Sequence, residues 1–163
     1  MPQGQEQVGP RRALALAALA GVLYYLGFCP LSWWPLTFLG ATLLIGLLDA
    51  SPSPREAVSV ATAMKFTGLM PTVPYLSGLG FAVHLVAVLI HVACWGLMAW
   101  LYWLARRRHG RLAGLLLLPA LWTLAEWLGT VRHFLPSHVT TWSQALAVPA
   151  LGLAPFIGAH GVT

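Results

Sequence analysis

Charge is what this sequence is short of. Nine basic and four acidic side chains stand among 163 residues, so 8% of the chain is charged, against about 25% in an ordinary soluble domain. Hydrophobic residues make up 58%. A small soluble domain keeps a large share of its surface in water and has nowhere to hide so much apolar area. The expected solvent is lipid. Cysteine is almost as scarce. Cys29 and Cys94 lie inside apolar stretches, with no Cys-x-x-Cys and no zinc spacing, and both read as small apolar side chains. No metal site and no cofactor motif is visible. No repeat or low-complexity segment appears either. The net charge of +5 could suit a nucleic-acid binder, but such a protein gathers its basic residues into a patch between polar helices. Here they stand at the ends of apolar runs, so nucleic acid is excluded as a partner and the phospholipid bilayer is the expected one.

What is present is a series of apolar runs separated by polar punctuation. Residues 1–12 are a polar tail that ends in Arg11-Arg12. A first helix is expected over 13–29, stopped by Pro30. A charged start and an apolar run can also mark a signal peptide. Phe28, however, is a poor residue ahead of a lipoprotein cleavage cysteine, and apolar sequence resumes at Trp33, so a retained helix is expected. Trp33 and Trp34 suit the headgroup region. A second, short helix is expected over 35–48, followed by the polar turn Asp49 to Glu56. A third runs over 56–70 and carries Lys65 near its middle. Pro71 and Pro74 remove backbone donors and break it. A fourth helix is expected over 81–104, closed by Arg106-Arg107-Arg108-His109-Gly110-Arg111. A fifth spans 112–128, about 17 residues, just enough for a hydrocarbon core of roughly 30 Å with help at its ends. A polar connection follows over 129–149, and residues 150–163 begin a sixth apolar run. The fold class is all-α: a polytopic transmembrane bundle of five helices and the start of a sixth.

The arginines orient it. With the N-terminus inside, the inner segments carry Arg11, Arg12, Arg55, Arg106, Arg107, Arg108 and Arg111, and the outer segments carry only Arg132. Cytoplasmic connections are the ones enriched in Lys and Arg.

Three sets of residues could carry chemistry inside the membrane. Glu126, in the last turn of the fifth helix, is costly at that depth unless paired or wetted. It reads either as one half of a pair with Arg132 shaping a lipid-headgroup site, or as an interfacial acid facing loop water. Lys65 reads as a phosphate contact in a cleft, or as a lysine that snorkels or faces the bundle; the second is favoured. His84 and His91, seven apart, share one helix face about 10 Å apart along the axis. One haem could not take both as axial ligands, so they read as bundle histidines.

The run Pro119-Ala-Leu-Trp122-Thr-Leu-Ala-Glu126-Trp-Leu resembles a motif of the membrane domain of apolipoprotein N-acyltransferases. So do Trp142-Ser143-Gln144 and Gly152-Leu-Ala-Pro155-Phe-Ile-Gly158-Ala-His-Gly161. Gly27-Phe28-Cys29-Pro30 with Trp33-Trp34-Pro35 resembles the end of that family's first helix. The likeness covers nearly the whole chain, most clearly 13–49 and 115–163. It implies a bacterial inner-membrane domain over 13–163 behind a cytoplasmic tail over 1–12. It also implies a role in lipoprotein maturation, where an acyl chain passes from phospholipid to the N-terminal cysteine of a diacylglyceryl-lipoprotein. In that family the Glu, Lys and Cys of a nitrilase-like domain do the chemistry. The expectation is that this chain lacks that domain, has no catalytic residue of its own, is inactive alone, and would need a separate nitrilase-like partner. Glu126, Arg132, Trp142 and Tyr75 are the positions the likeness offers for lipid or substrate contact. The chain departs from the family at Gly129-Thr130-Val131, at Leu135-Pro136-Ser137 and at Val73-Pro74, all on the expected outer side, which weakens the expected docking contacts. The family does not generally place a lysine at position 65. A small non-enzymatic membrane protein, transporter-like or an assembly module, is the competing reading.

The arginine pattern predicts that a cysteine at position 138 reacts with a membrane-impermeant maleimide from outside. A cysteine at position 108 should react only after the membrane is opened. Labelling at 108 and not at 138 would reverse the topology.

Overall fold

The structure, a computed structural model, describes residues 9–27, 33–71 and 80–131, with side chains described as far as residue 128. Among the described residues it is all helical: α1 (Pro10–Leu26), α2 (Trp34–Ala50), α3 (Pro54–Leu69), α4 (Phe81–His109) and α5 (Arg111–Val131). Local chemistry sets the boundaries. Pro10 and Pro54 open α1 and α3, where a missing N–H is harmless and the fixed φ suits a helix. Ser53 caps α3 by accepting from the Glu56 amide at 3.3 Å. α3 stops at Leu69, two residues ahead of Pro71. α4 continues past the expected 104 to His109. Its last turn holds Arg106, Arg107, Arg108 and His109, and cations there sit well against the negative end of the helix dipole. Gly110 alone separates α4 from α5, at φ 89°, a conformation that a Cβ would strain. Pro119 lies inside α5 without ending it. The expected break over 71–80 falls mostly in 72–79, and the expected sixth helix in 150–163; both lie outside the described residues.

α1 packs on α2 and α3, α3 on α4, and α4 on α5; α2 meets α3 and α4 more lightly. The buried stripe of α1 is Ala13, Ala17, Ala20, Gly21 and Tyr24, a spacing of three and four that keeps small residues on one face. Small residues let helix backbones approach closely. A Cβ on Gly40 of α2 would stand 2.6 Å from the Ala20 carbonyl oxygen. A Cβ on Gly21 would run into Thr67 Oγ1 and the Met64 carbonyl of α3. Thr67 Oγ1 itself lies 3.3 Å from the Ala18 carbonyl, bridging α3 to α1.

At the other end of α2, arginines satisfy its last carbonyls. Arg106 donates to the Asp49 carbonyl and, at 2.8 Å, to the Ser51 carbonyl. Asp49 Oδ2 lies 2.7 Å from Arg111 Nε, and Oδ1 lies 3.4 Å from Arg106. The polar turn after α2 is thereby tied to the junction of α4 and α5.

The outside of the bundle is apolar. Leu112, Leu116, Phe81, Val86 and Trp100 are among many large hydrophobics left exposed, a surface that water would not tolerate well. Two helices, Phe81–His109 and Arg111–Leu128, are long and apolar enough to cross a membrane by length and composition, and Trp34–Ala50 is a shorter apolar helix.

The close crossing of α1 and α3 predicts that Gly21→Val loses on the order of 1–3 kcal/mol or more. Gly46→Ala, with nothing within 4 Å of the new Cβ, should be neutral or gain up to about 1 kcal/mol from helix propensity. Thermal unfolding in detergent, followed by circular dichroism, compares the two.

Candidate functional site

Five side chains from four helices meet in the middle of the bundle: Tyr24 of α1, Lys65 of α3, Trp95 of α4, and Trp122 and Glu126 of α5. Trp122 and Glu126 are four apart, so they lie one above the other on the same face of α5. The Trp122 indole N–H donates to Glu126 Oε1 at 3.0 Å. The Tyr24 hydroxyl, coming from α1, donates to the same oxygen at 3.2 Å. Trp95 meets Trp122 edge to face, with centroids 4.4 Å apart and planes at 72°. Tyr24 lies near both indoles, at 6.3 Å from Trp95 and 6.4 Å from Trp122. Lys65 Nζ lies 4.5 Å from the Trp95 ring centroid and 5.1 Å from that of Tyr24.

Both ionisable groups are deeply buried: Lys65 is 2% exposed and Glu126 3%. A lone charge in such a place costs several kcal/mol, so each must be compensated. Glu126 is compensated by charge-assisted hydrogen bonds, which are about twice as strong as neutral ones. Lys65 is compensated by two aromatic faces, worth about 2 kcal/mol or more when water is excluded. Tyr24 serves both, its ring facing the ammonium and its hydroxyl bound to the carboxylate.

This placement differs from the sequence reading of Glu126. Position along α5 suggested an acid at the outer interface, either facing loop water or paired with Arg132. Glu126 is 3% exposed, so it does not face water; the pairing with Arg132 falls outside the described residues. Arg132, Trp142 and Tyr75 lie outside the described residues, as does Cys29. Lys65 faces the bundle. His84 and His91 are both buried on α4. His91 Nδ1 lies 2.9 Å from the Ala87 carbonyl, and His84 stacks on Phe81. Cys94 is half-buried beside Leu97, Leu121 and Leu124, in a shallow groove between α4 and α5. Among the described residues no group of three or more His, Cys, Asp or Glu is placed to hold a metal ion. Tyr24 and Trp95 were not singled out from sequence. The usable signal was two opposite charges within apolar helices, which in a membrane tend to find each other.

The assembly holds charges in place. Cys94 is half-buried on α4, and Trp122 and Tyr24 both donate to the Glu126 carboxylate. Tyr24→Phe is therefore predicted to cost about 1–3 kcal/mol, the range for leaving a charged buried acceptor short of a donor. Tyr25→Phe, on a half-buried neighbour, should cost much less. Unfolding titrations in mixed micelles measure both.

Comparison with known proteins bears on what such a bundle is for. The model of the apolipoprotein N-acyltransferase N-terminal domain matches residues 20–163. The apolipoprotein N-acyltransferase of Nitrosomonas europaea is 33% identical over 163 aligned residues, covering 93% of this chain and 33% of the relative. That of Ralstonia nicotianae is 30% identical over 171, covering 93% and 32%. The chain thus spans about a third of the length of the curated relatives it matches. With the N-terminal domain model matched over most of its length, this helical chain belongs to the apolipoprotein N-acyltransferase family.

Proposed function

We propose that these 163 residues act as the membrane domain of an apolipoprotein N-acyltransferase. The domain is multi-pass in the bacterial inner membrane, with its N-terminus in the cytoplasm. Its task is to seat two lipid-bearing molecules, a phospholipid acyl donor and a diacylglyceryl-lipoprotein, beneath a nitrilase-like catalytic domain. The observation that carries this reading is the family match over residues 20–163 on a helical bundle with an apolar exterior. The arginine asymmetry supports the orientation. The junction clamp at Asp49, Arg106 and Arg111 then belongs to the cytoplasmic side. The polar connection 129–149 faces the periplasm, where Arg132, Trp142 and, from the earlier break, Tyr75 are available to lipid and lipoprotein.

Acyl transfer from a phospholipid ester to an amine needs an activated nucleophile and donors for the developing oxyanion. Among the described residues neither is assembled. The labour is therefore divided: this domain binds and orients, and the nitrilase-like domain carries the chemistry.

A chimera tests the proposal. The chain replaces the matching third of the Nitrosomonas europaea relative, and N-acylation of a diacylglyceryl-lipoprotein is read by mass spectrometry. The expected outcome is a chimera that acylates. Residues 1–163 by themselves, reconstituted with phospholipid and a diacylglyceryl-peptide, should transfer nothing and leave Cys29 and Cys94 unmodified. An inserted, folded chimera without activity would favour the non-enzymatic reading. Turnover by the 163 residues, lost on Cys→Ala, would put the chemistry in this domain.

A further inference from the structure

The functional reading gives no task to the buried ammonium of Lys65. Its surroundings do. Trp95 and Tyr24 present aromatic faces to Nζ at 4.5 and 5.1 Å. Trp122 closes the frame through its edge-to-face contact with Trp95. Glu126, held by Trp122 and Tyr24, supplies a negative charge at the hydroxyl end of the Tyr24 ring. Aromatic faces with a nearby carboxylate and no water are the chemistry by which proteins bind organic ammonium ions. Lys65 is 2% exposed, so its own side chain fills the place such a ligand would take.

We infer that Tyr24, Trp95, Trp122 and Glu126 form an ammonium-binding cage, that Lys65 is its tethered occupant, and that the site accepts a free primary alkylammonium ion once the tether is cut. The occupant is one of the contacts that tie four helices together. Tyr24, Trp95 and the Trp122–Glu126 pair come from α1, α4 and α5, and Lys65 reaches them from α3. An empty cage would leave the Glu126 charge buried without its cation, which destabilises more than the loss of packing alone. The inference is independent of the acyl-transfer proposal, because it concerns binding and stability only.

Chemical rescue tests it. Lys65→Ala removes three methylenes and the ammonium, the volume of n-propylammonium. In detergent micelles the variant should unfold several degrees below the wild type. Added n-propylammonium chloride should raise its Tm in a saturable manner. Sodium chloride at equal ionic strength and 1-propanol should not, and the wild type should not respond to any of them. Lys65→Ala/Glu126→Gln should lose the rescue. If Lys65→Ala cannot be obtained folded, Lys65→Met and Lys65→Met/Glu126→Gln decide. The cage requires the double variant to be more stable than Lys65→Met, because it no longer buries a carboxylate whose cation has been removed. A Lys65→Ala protein that propylammonium does not stabilise, or a double variant no more stable than Lys65→Met, overturns the inference.

Discussion

Two charges that water cannot reach govern the centre of this bundle. Neither Lys65 nor Glu126 can be left alone there, since an uncompensated buried ion costs several kcal/mol after all relaxation. Their compensation comes from α1, α4 and α5, with only the Trp122 donor supplied by a neighbour on the same helix. Glu126 draws a donor from α1 and another from its own helix. Lys65 draws on rings from α1 and α4. Moving any one of these helices outward by an ångström or two would weaken two or more contacts at once. A purely apolar interior in lipid offers little preference for one helix arrangement over another, because lipid tails are as apolar as leucine. The polar cluster supplies that preference.

The cluster depends in turn on close backbones. Tyr24 reaches Glu126 because α1 sits deep against α2 and α3, and it sits deep because its inner stripe is alanine and glycine. At Gly21 and Gly40 the neighbouring backbone or side chain occupies the space where a Cβ would go. Small residues at one level of the bundle thereby set the distances between large aromatic residues at another. Within this arrangement Trp95 and Trp122 pack edge to face, a geometry worth about 0.5–1.5 kcal/mol beyond burial.

Much of this architecture was legible in the sequence, because apolar runs and prolines speak directly about helices. All five described helices fall where the runs lie, and Pro71 marks the end of the third. The ends were less legible. Arg106 to His109 read as a stop, yet their cations suit a helix C-terminus and the helix continues through them. Pro10, Arg11 and Arg12 read as a tail, yet Pro10 opens α1. The buried cluster was legible only in pieces. Glu126 and Lys65 each stood out as charges in apolar surroundings, but their meeting depends on which way α3 and α5 turn. Tyr24 looks in sequence like one of two adjacent tyrosines; only the helix face separates a buried Tyr24 from a half-buried Tyr25. The candidate contacts Tyr75, Arg132 and Trp142 remain readings of the resemblance.

The arginine clamp on α2 has a meaning for biogenesis. Arg106 follows Asp49 by 57 positions, and Arg111 follows later still. In the multi-pass arrangement proposed above, α2 would enter the membrane first, with its final carbonyls and Asp49 served by water alone. Only when α4 has been inserted can Arg106 arrive at the right surface, and only when α5 begins can Arg111 join it. An α4 inserted upside down would carry Arg106 to the opposite leaflet and leave Asp49 without either arginine. In that arrangement the same few atoms that finish a helix end would act as a proofreading contact, favouring the topology in which the later helices have inserted the right way round.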